Sequence, residues 1–270
     1  MNFFRKNTLV IIIGIILFSL LTVWLGASYY LYTQSTKVIY ETEHSKDLKF
    51  NLPTTQDYTS LKSGEKIDVL SINNQSSSQY ILYLHGNWGR LPGLMESMSK
   101  YANVVSVSDP GYSQSTGNSD TDKVNATAVA GIDWLRAKGI ADNRITVIGH
   151  SLGGSPSIYL ATQYPNLNRV VTINSFFSMQ KMCEIQYKIL CIFAGDIHPS
   201  NKYAPNIKAN FIQVHSTEDE FIPYTQGKEL NKLITAKNYF VDIKGKHGGP
   251  NFDEVVKNIR AIPDNSSFLL

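Results

Sequence analysis

One ten-residue stretch, Arg144-Ile145-Thr146-Val147-Ile148-Gly149-His150-Ser151-Leu152-Gly153, constrains this chain more than any other. An apolar run ends in Gly149-His150-Ser151-Leu152-Gly153, and the residues from Leu152 to Tyr164 read as a helix. A strand that turns sharply into a helix through G-x-S-x-G is a nucleophile elbow. Gly149 and Gly153 lack Cβ atoms, so the backbone can turn tightly and pack closely around the serine. The turn lifts Ser151 Oγ above the sheet. The new helix aims its first N–H groups, and the positive end of its dipole, at the same point. The N–H of Leu152 would meet an oxyanion forming beside Ser151. Taken alone, the pentapeptide reads equally well as a glycine-rich turn with Ser151 as a helix cap, so the rest of the chain has to decide.

Upstream, Tyr80-Ile81-Leu82-Tyr83-Leu84 is an unbroken apolar run, expected for a strand buried on both faces of a parallel sheet. His85-Gly86-Asn87-Trp88-Gly89 follows it directly. A loop in this place supplies the second N–H of an oxyanion hole, and Asn87 is the candidate donor. His85 is expected to brace that loop rather than act as a base.

Downstream, Phe211-Ile212-Gln213-Val214-His215 reads as a strand, and Ser216 through Pro223 follows with three acids, Glu218, Asp219 and Glu220. Asp219 is the candidate orienting acid, because backbone N–H groups of a loop readily fix a short carboxylate. Glu218 and Glu220 are expected to be solvated. A further strand, Asn238–Ile243, leads into Lys244-Gly245-Lys246-His247-Gly248-Gly249. His247 is the candidate base, reaching back over the sheet from a glycine-rich loop. Serine, then acid, then histidine is the chain order this chemistry requires. His44, His150, His198 and His215 have weaker claims by position.

Together these segments resemble the α/β-hydrolase superfamily, and in particular the Bem46-like group near the alpha/beta hydrolase domain-containing proteins. The matching elements are Leu84-His85-Gly86-Asn87, Asp109 through Ser115, Gly149 through Gly154, His215 through Pro223, and Lys246-His247-Gly248. The sequence departs from the group at Pro110, where an arginine is usual, and at Trp88, where a small residue is common. The resemblance implies a mostly parallel central sheet flanked by helices, with a short lid insertion. It also implies hydrolysis of esters, lipids, or sometimes thioesters and amides, by Ser151, Asp219 and His247, with Asn87 and Leu152 as oxyanion donors and no cofactor.

The chain has 270 residues and a formal charge of +3, too small to argue for nucleic-acid binding. It carries no phosphate-binding loop, dinucleotide fingerprint or metal-ligand cluster. Leu9 to Leu31 is free of charge and long enough to span about 30 Å of hydrocarbon. Trp24, Tyr29, Tyr30 and Tyr32 stand near its far end as an interfacial belt would, and Arg5 and Lys6 precede it. The expectation is an uncleaved anchor, with a cytoplasmic N-terminus and the enzyme outside the cytoplasm. A cleaved signal peptide competes, although its apolar region is usually shorter.

The expected plan is an N-terminal stub and transmembrane anchor over residues 1–32 and a linker over 33–65. A catalytic domain over 66–262 follows, with a lid at about 175–209, and a tail over 263–270. Within the lid, Phe176 and Phe177 are candidates to line an acyl pocket, with Trp88 narrowing it. Met179 to Ile192 has helical periodicity, which would hold Cys183 and Cys191 about 12 Å apart. A disulfide between them therefore requires a break in that helix. The expected substrate is a small acyl or lipid ester. The alternatives are a peptidase or amidase on the same three residues, or a non-catalytic membrane-anchored binding protein.

Overall fold

The computed structural model describes residues 2–46, 48–193, 197–249 and 251–262, with the side chains of 2–7 and 9 excepted. The expected tail, 263–270, lies outside the described residues. Eight strands form one sheet: β1 (Thr55–Ser60), β2 (Lys66–Ile72), β3 (Tyr80–Leu84), β4 (Asn103–Val107), β5 (Ile145–His150), β6 (Arg169–Ile173), β7 (Phe211–Ser216) and β8 (Asn238–Ile243). Their spatial order is β1-β2-β4-β3-β5-β6-β7-β8. β2 runs antiparallel to both β1 and β4, and every other pairing is parallel.

The central strands are apolar on both faces because helices cover both. On β3, Leu82 and Leu84 pack with Ala128, Ile132 and Leu135 of α3 (Thr121–Ala137) and with Ile158 and Leu160 of α4 (Gly154–Gln163). Ile81 and Tyr83 pack on the other face with Leu94 and Met98 of α2 (Pro92–Ser99) and Val255 and Ile259 of α6 (Phe252–Ala261). Alternation along one strand therefore feeds two cores. The sheet is left with its β-strand carboxyl ends exposed to one rim, where α/β sheets bind ligands.

The N-terminal helix α1 spans Asn2–Ile39. An 18-residue window in it has a mean hydropathy of 2.6 and no buried residue, so it is long and apolar enough to cross a membrane. Two expectations need correction here. Residues 33–65 are not a plain linker: α1 continues through Ile39, and β1 adds a strand before Lys66. The helix also does not end free of the domain. Ile39 and Tyr40 are buried with Tyr112, Val124, Leu152, Phe176, Met182 and Ile222, and the Tyr40 hydroxyl and His198 Nε2 share a hydrogen bond at 2.8 Å.

The lid departs from expectation too. α5 spans Met179–Tyr187 and stops at Lys188, whose φ of +51° no α-helix can continue through. The chain folds back in a single 3₁₀ turn, Lys188–Leu190. That break brings the Cα atoms of Cys183 and Cys191 to 5.8 Å, and a disulfide joins them.

Candidate active site

Ser151, Asp219 and His247 arrive from three separate strand ends and meet in one line of hydrogen bonds. Ser151 follows β5 directly and holds φ at +54°, the left-handed region that non-glycine residues rarely occupy. The conformation persists because the flanking glycines let the turn close. A Cβ on Gly149 would sit 2.2 Å from the Gly153 carbonyl oxygen, and one on Gly153 would sit 2.2 Å from that of Leu84. Neither position tolerates a side chain.

Asp219 lies in the turn after β7. Its Oδ1 accepts from the N–H groups of Phe221 (2.9 Å) and Ile222 (2.8 Å), leaving Oδ2 to accept from His247 Nδ1 at 2.8 Å. Burial pushes this carboxyl upward, but the bonds from His247 and the two amides outweigh it and hold the pKa below the usual carboxylate range. His215, at the end of β7, donates from Nε2 to the Ile222 carbonyl (3.0 Å) and so braces the same turn. Because His247 Nδ1 carries its proton to a carboxylate, Nε2 presents a lone pair to the Ser151 hydroxyl at 2.9 Å.

The His247 loop is tied from several sides, and sequence reasoning missed most of the ties. Asn174, at φ +49° just past β6, donates from Nδ2 to the His247 carbonyl (3.1 Å). Its Oδ1 accepts from the Ser216 N–H (2.8 Å), so one amide bridges the ends of two loops. His150 Nε2 also donates to the His247 carbonyl (3.2 Å). Glu220 Oε2 accepts from the His247 N–H (3.0 Å), and Glu218 Oε2 from the Gly245 N–H (3.1 Å). The two acids expected to be merely solvated therefore anchor the histidine loop. The one available signal was an asparagine directly after a buried strand, since Asn tolerates the left-handed region.

His85 braces the upstream loop, as expected, and its bonds fix the tautomer. The Asp109 N–H can only donate, and it reaches Nε2 at 3.1 Å. Nδ1 therefore carries the proton and donates to the Gly86 carbonyl at 2.7 Å, a carbonyl that also accepts from the Gly89 N–H at 3.0 Å. That carbonyl belongs to the Gly86–Asn87 peptide, so its two bonds also set the direction of the Asn87 N–H. The Tyr112 hydroxyl pins the next peptide through the Asn87 carbonyl (2.8 Å). Burial lowers the His85 pKa to about 4, keeping the ring neutral in this role. Burial raises neighbouring Asp109 to about 8.

A cavity of ≈ 130 Å³ opens beside Ser151, with Asn87 and Leu152 on its wall. Phe176, Met179 and Met182 of the lid line it, and so do Leu31, Val38 and Ile39 of α1. Two candidates fall elsewhere. Phe177 points to the opposite side of the chain from Phe176 and packs against the α3–α4 core. Trp88 is 55% exposed, turned outward by its bond to Glu41 Oε2 (2.8 Å) and its contact with His44. Among the described residues no group of His, Cys, Asp and Glu side chains could hold a metal ion.

The family model described as "alpha/beta hydrolase fold" matches residues 80–195. A protein of Acanthamoeba polyphaga mimivirus, R595, is 26% identical over 76% of this chain and 80% of its own length. Human alpha/beta hydrolase domain-containing protein 17B is 24% identical over 64% of this chain, which spans only 61% of that protein. The esterase Pf2001 of Pyrococcus furiosus superposes with a TM-score of 0.61 at 18% identity, over 75% of this chain and 87% of the esterase. With the sheet order, the elbow and these matches in agreement, the chain has the α/β-hydrolase fold.

Proposed function

We propose that this chain is a membrane-anchored serine hydrolase that cleaves an acyl ester through an acyl-enzyme. The observation that carries the reading is the unbroken line Asp219–His247–Ser151, at 2.8 and 2.9 Å, at the edge of an apolar cavity. His247 Nε2 takes the hydroxyl proton as Ser151 Oγ attacks the ester carbonyl, and Asp219 stabilises the imidazolium. The N–H groups of Leu152 and Asn87 hold the oxyanion. Removing one such donor costs about 3–4 kcal/mol in comparable sites. His247 returns the proton to the leaving alcohol. A water then gives a proton to His247 as it attacks the acyl carbonyl, and His247 passes that proton to Ser151 Oγ as the acid leaves.

Two features support the anchor and its orientation. Leu9 to Leu31 lies within one continuous helix that holds an unburied apolar window, with Arg5 and Lys6 before it. The Cys183–Cys191 disulfide suits an oxidising compartment, which supports a catalytic domain outside the cytoplasm. The lid and the end of α1 form the apolar walls expected around a lipid or acyl chain.

A fluorophosphonate probe tests the reading. The wild-type protein should label, and Ser151→Ala should lose both labelling and hydrolysis of an acyl-ester panel while keeping its fold. Cleavage of peptide amides in preference to every ester would replace the esterase reading. Labelling that survives Ser151→Ala would remove the proposed nucleophile.

A further inference from the structure

Among the described residues, the lid tip is the most exposed apolar segment outside α1. Ile185, Ile189, Ile192 and Phe193 all lie exposed there, Ile189 at 73%. Exposed apolar clusters in a folded domain mark an interaction surface. What this one meets is set by where it sits. The Trp24 indole donates from Nε1 to the Ile189 carbonyl at 2.9 Å, and Tyr29 and Tyr32 pack on the Phe193 ring with centroids 6.4 Å away. Trp24 precedes the end of the apolar stretch, Leu31, by seven residues, or about 10 Å of helix. The tip thus folds back along the anchor to a level inside the anchor's own apolar span. A helix that enters a bilayer there carries the tip in with it.

The tip also suits an interface chemically. The only charge in its turn is Lys188, whose long stem can run along apolar surface to a headgroup. The charged pair on α5, Lys181 and Glu184, lies nearer the domain. The disulfide closes the tip into a compact loop, and the Trp24 bond satisfies a backbone carbonyl that a bilayer would leave unpaired.

A second cleft runs between tip and anchor, walled by Ser28, Leu31, Ser35, Leu190 and Phe193. Leu31, Ser35 and Cys183 are common to this cleft and to the cavity beside Ser151. An apolar seam therefore leads from the proposed nucleophile, between α1 and α5, to the level of Ser28, one helical turn from Trp24.

We infer that the lid tip, Ile185–Phe193, is a second membrane-inserting element, which dips beside α1 into the leaflet and opens the α1–α5 seam to acyl chains within it. The inference rests on the reading of the chain as a membrane-anchored ester hydrolase. It adds that the substrate enters sideways from the lipid, with its chain along the anchor, rather than from water.

Two measurements on the full chain in phosphatidylcholine vesicles test it. The first places a fluorophore with Ile189→Trp and follows the emission gained over the parent protein. Nitroxides on the lipid acyl chains should quench that gain and aqueous acrylamide should not; the reverse pattern would overturn the inference. The second uses the double variant Ile189→Asp, Ile192→Asp. Hydrolysis of a long-chain ester embedded in the vesicles should fall about tenfold or more, given about 0.8 kcal/mol per buried CH₂. Hydrolysis of a water-soluble short-chain ester should stay within about twofold. An equal fall on both esters, or on neither, would make the tip a structural part of the domain. If the wild-type protein cleaves no ester, the functional reading fails, while the fluorescence result still decides whether the tip inserts.

Discussion

The floor of the candidate site and its walls are built on different principles. The floor consists of loops at the carboxyl ends of β3, β5, β7 and β8, each a few residues long and fixed by the strand before it. The walls come from α1 and the lid, roughly 150 residues apart in sequence, and they exist only where the two pack together. Polar bonds hold the floor: Asp219, Asn174, His85 and Glu220 each secure a backbone group or the His247 ring. Apolar contact holds the walls, with Tyr40 to His198 as one polar tie. On the proposed function, chemistry and selectivity are separable. Damage to the floor should abolish turnover, whereas damage to the walls should change which esters turn over.

The largest expected effect is on the floor. Asp219→Asn removes the carboxylate that fixes the His247 tautomer and should lower kcat by about 10⁴-fold. Glu220→Gln keeps an acceptor for the His247 N–H and should cost far less. Measured kcat/KM on a soluble ester compares them. Equal losses would mean that loop position, not the tautomer, is what Asp219 provides.

Acid should loosen the floor in a defined window. Burial holds His85 near 4, and His150 and His198 near 3, well below the ordinary 6.5. Below pH about 6.5 the unfolded chain takes up protons that the folded chain refuses. Each group then costs up to about 1.4 kcal/mol of stability per pH unit lost. Asp109 has the opposite sign. Raised to about 8, it keeps its proton in the fold above pH 3.8, where the unfolded chain releases it, so stability falls as pH rises from there to about 8. The histidines outnumber the aspartate below 6.5, and Asp109 acts alone above it. Tm should therefore peak near pH 6.5, and Asp109→Asn should flatten the alkaline side of the peak. Two of the three histidines, His85 and His150, belong to the floor. A Tm that kept rising from pH 6.5 to 8 in the wild type would contradict the assignment to Asp109.

A smaller effect separates two adjacent wall residues. Phe176 lines the cavity, whereas Phe177 packs against the α3–α4 core. Rates on test esters should rise with acyl length from two carbons to about eight, since each buried CH₂ is worth about 0.8 kcal/mol. Phe176→Ala and Ile39→Ala should flatten that rise, by about tenfold at the longest chain. Phe177→Ala should lower Tm but leave the profile intact. A flat profile in the wild type would return the lid to a purely structural role.

How much of this could be read in advance follows the same division. The floor was legible because each role sits in a short motif beside an apolar run: Ser151 between two glycines, Asp219 after β7, His247 after β8. Asn174 and Glu220 were not, because their role depends on loops 73 and 27 residues away. The walls were largely hidden. Ile39 and Tyr40 stand among polar neighbours and give no periodic signal, so the end of α1 read as linker. Lys188 turns the lid at φ +51° with no glycine to announce it, so α5 read as longer and the disulfide as needing a break in that helix. Nothing in the pair Phe176-Phe177 tells which ring faces the cavity.

The smallest expected effect is at Trp88, where the sequence suggested a narrowed pocket and the ring instead lies outside it. Its indole holds Glu41 at 2.8 Å and its ring meets His44, both on an exposed surface. Trp88→Phe removes that bond but leaves the His85–Gly86 and Tyr112–Asn87 contacts that set the oxyanion loop. An exposed substitution of this kind shifts stability by about 0.5 kcal/mol or less. Activity on every chain length should stay within about twofold of wild type. A selective gain on bulky or long esters would mean that Trp88 swings inward when substrate binds, and would add a third, movable wall to the site.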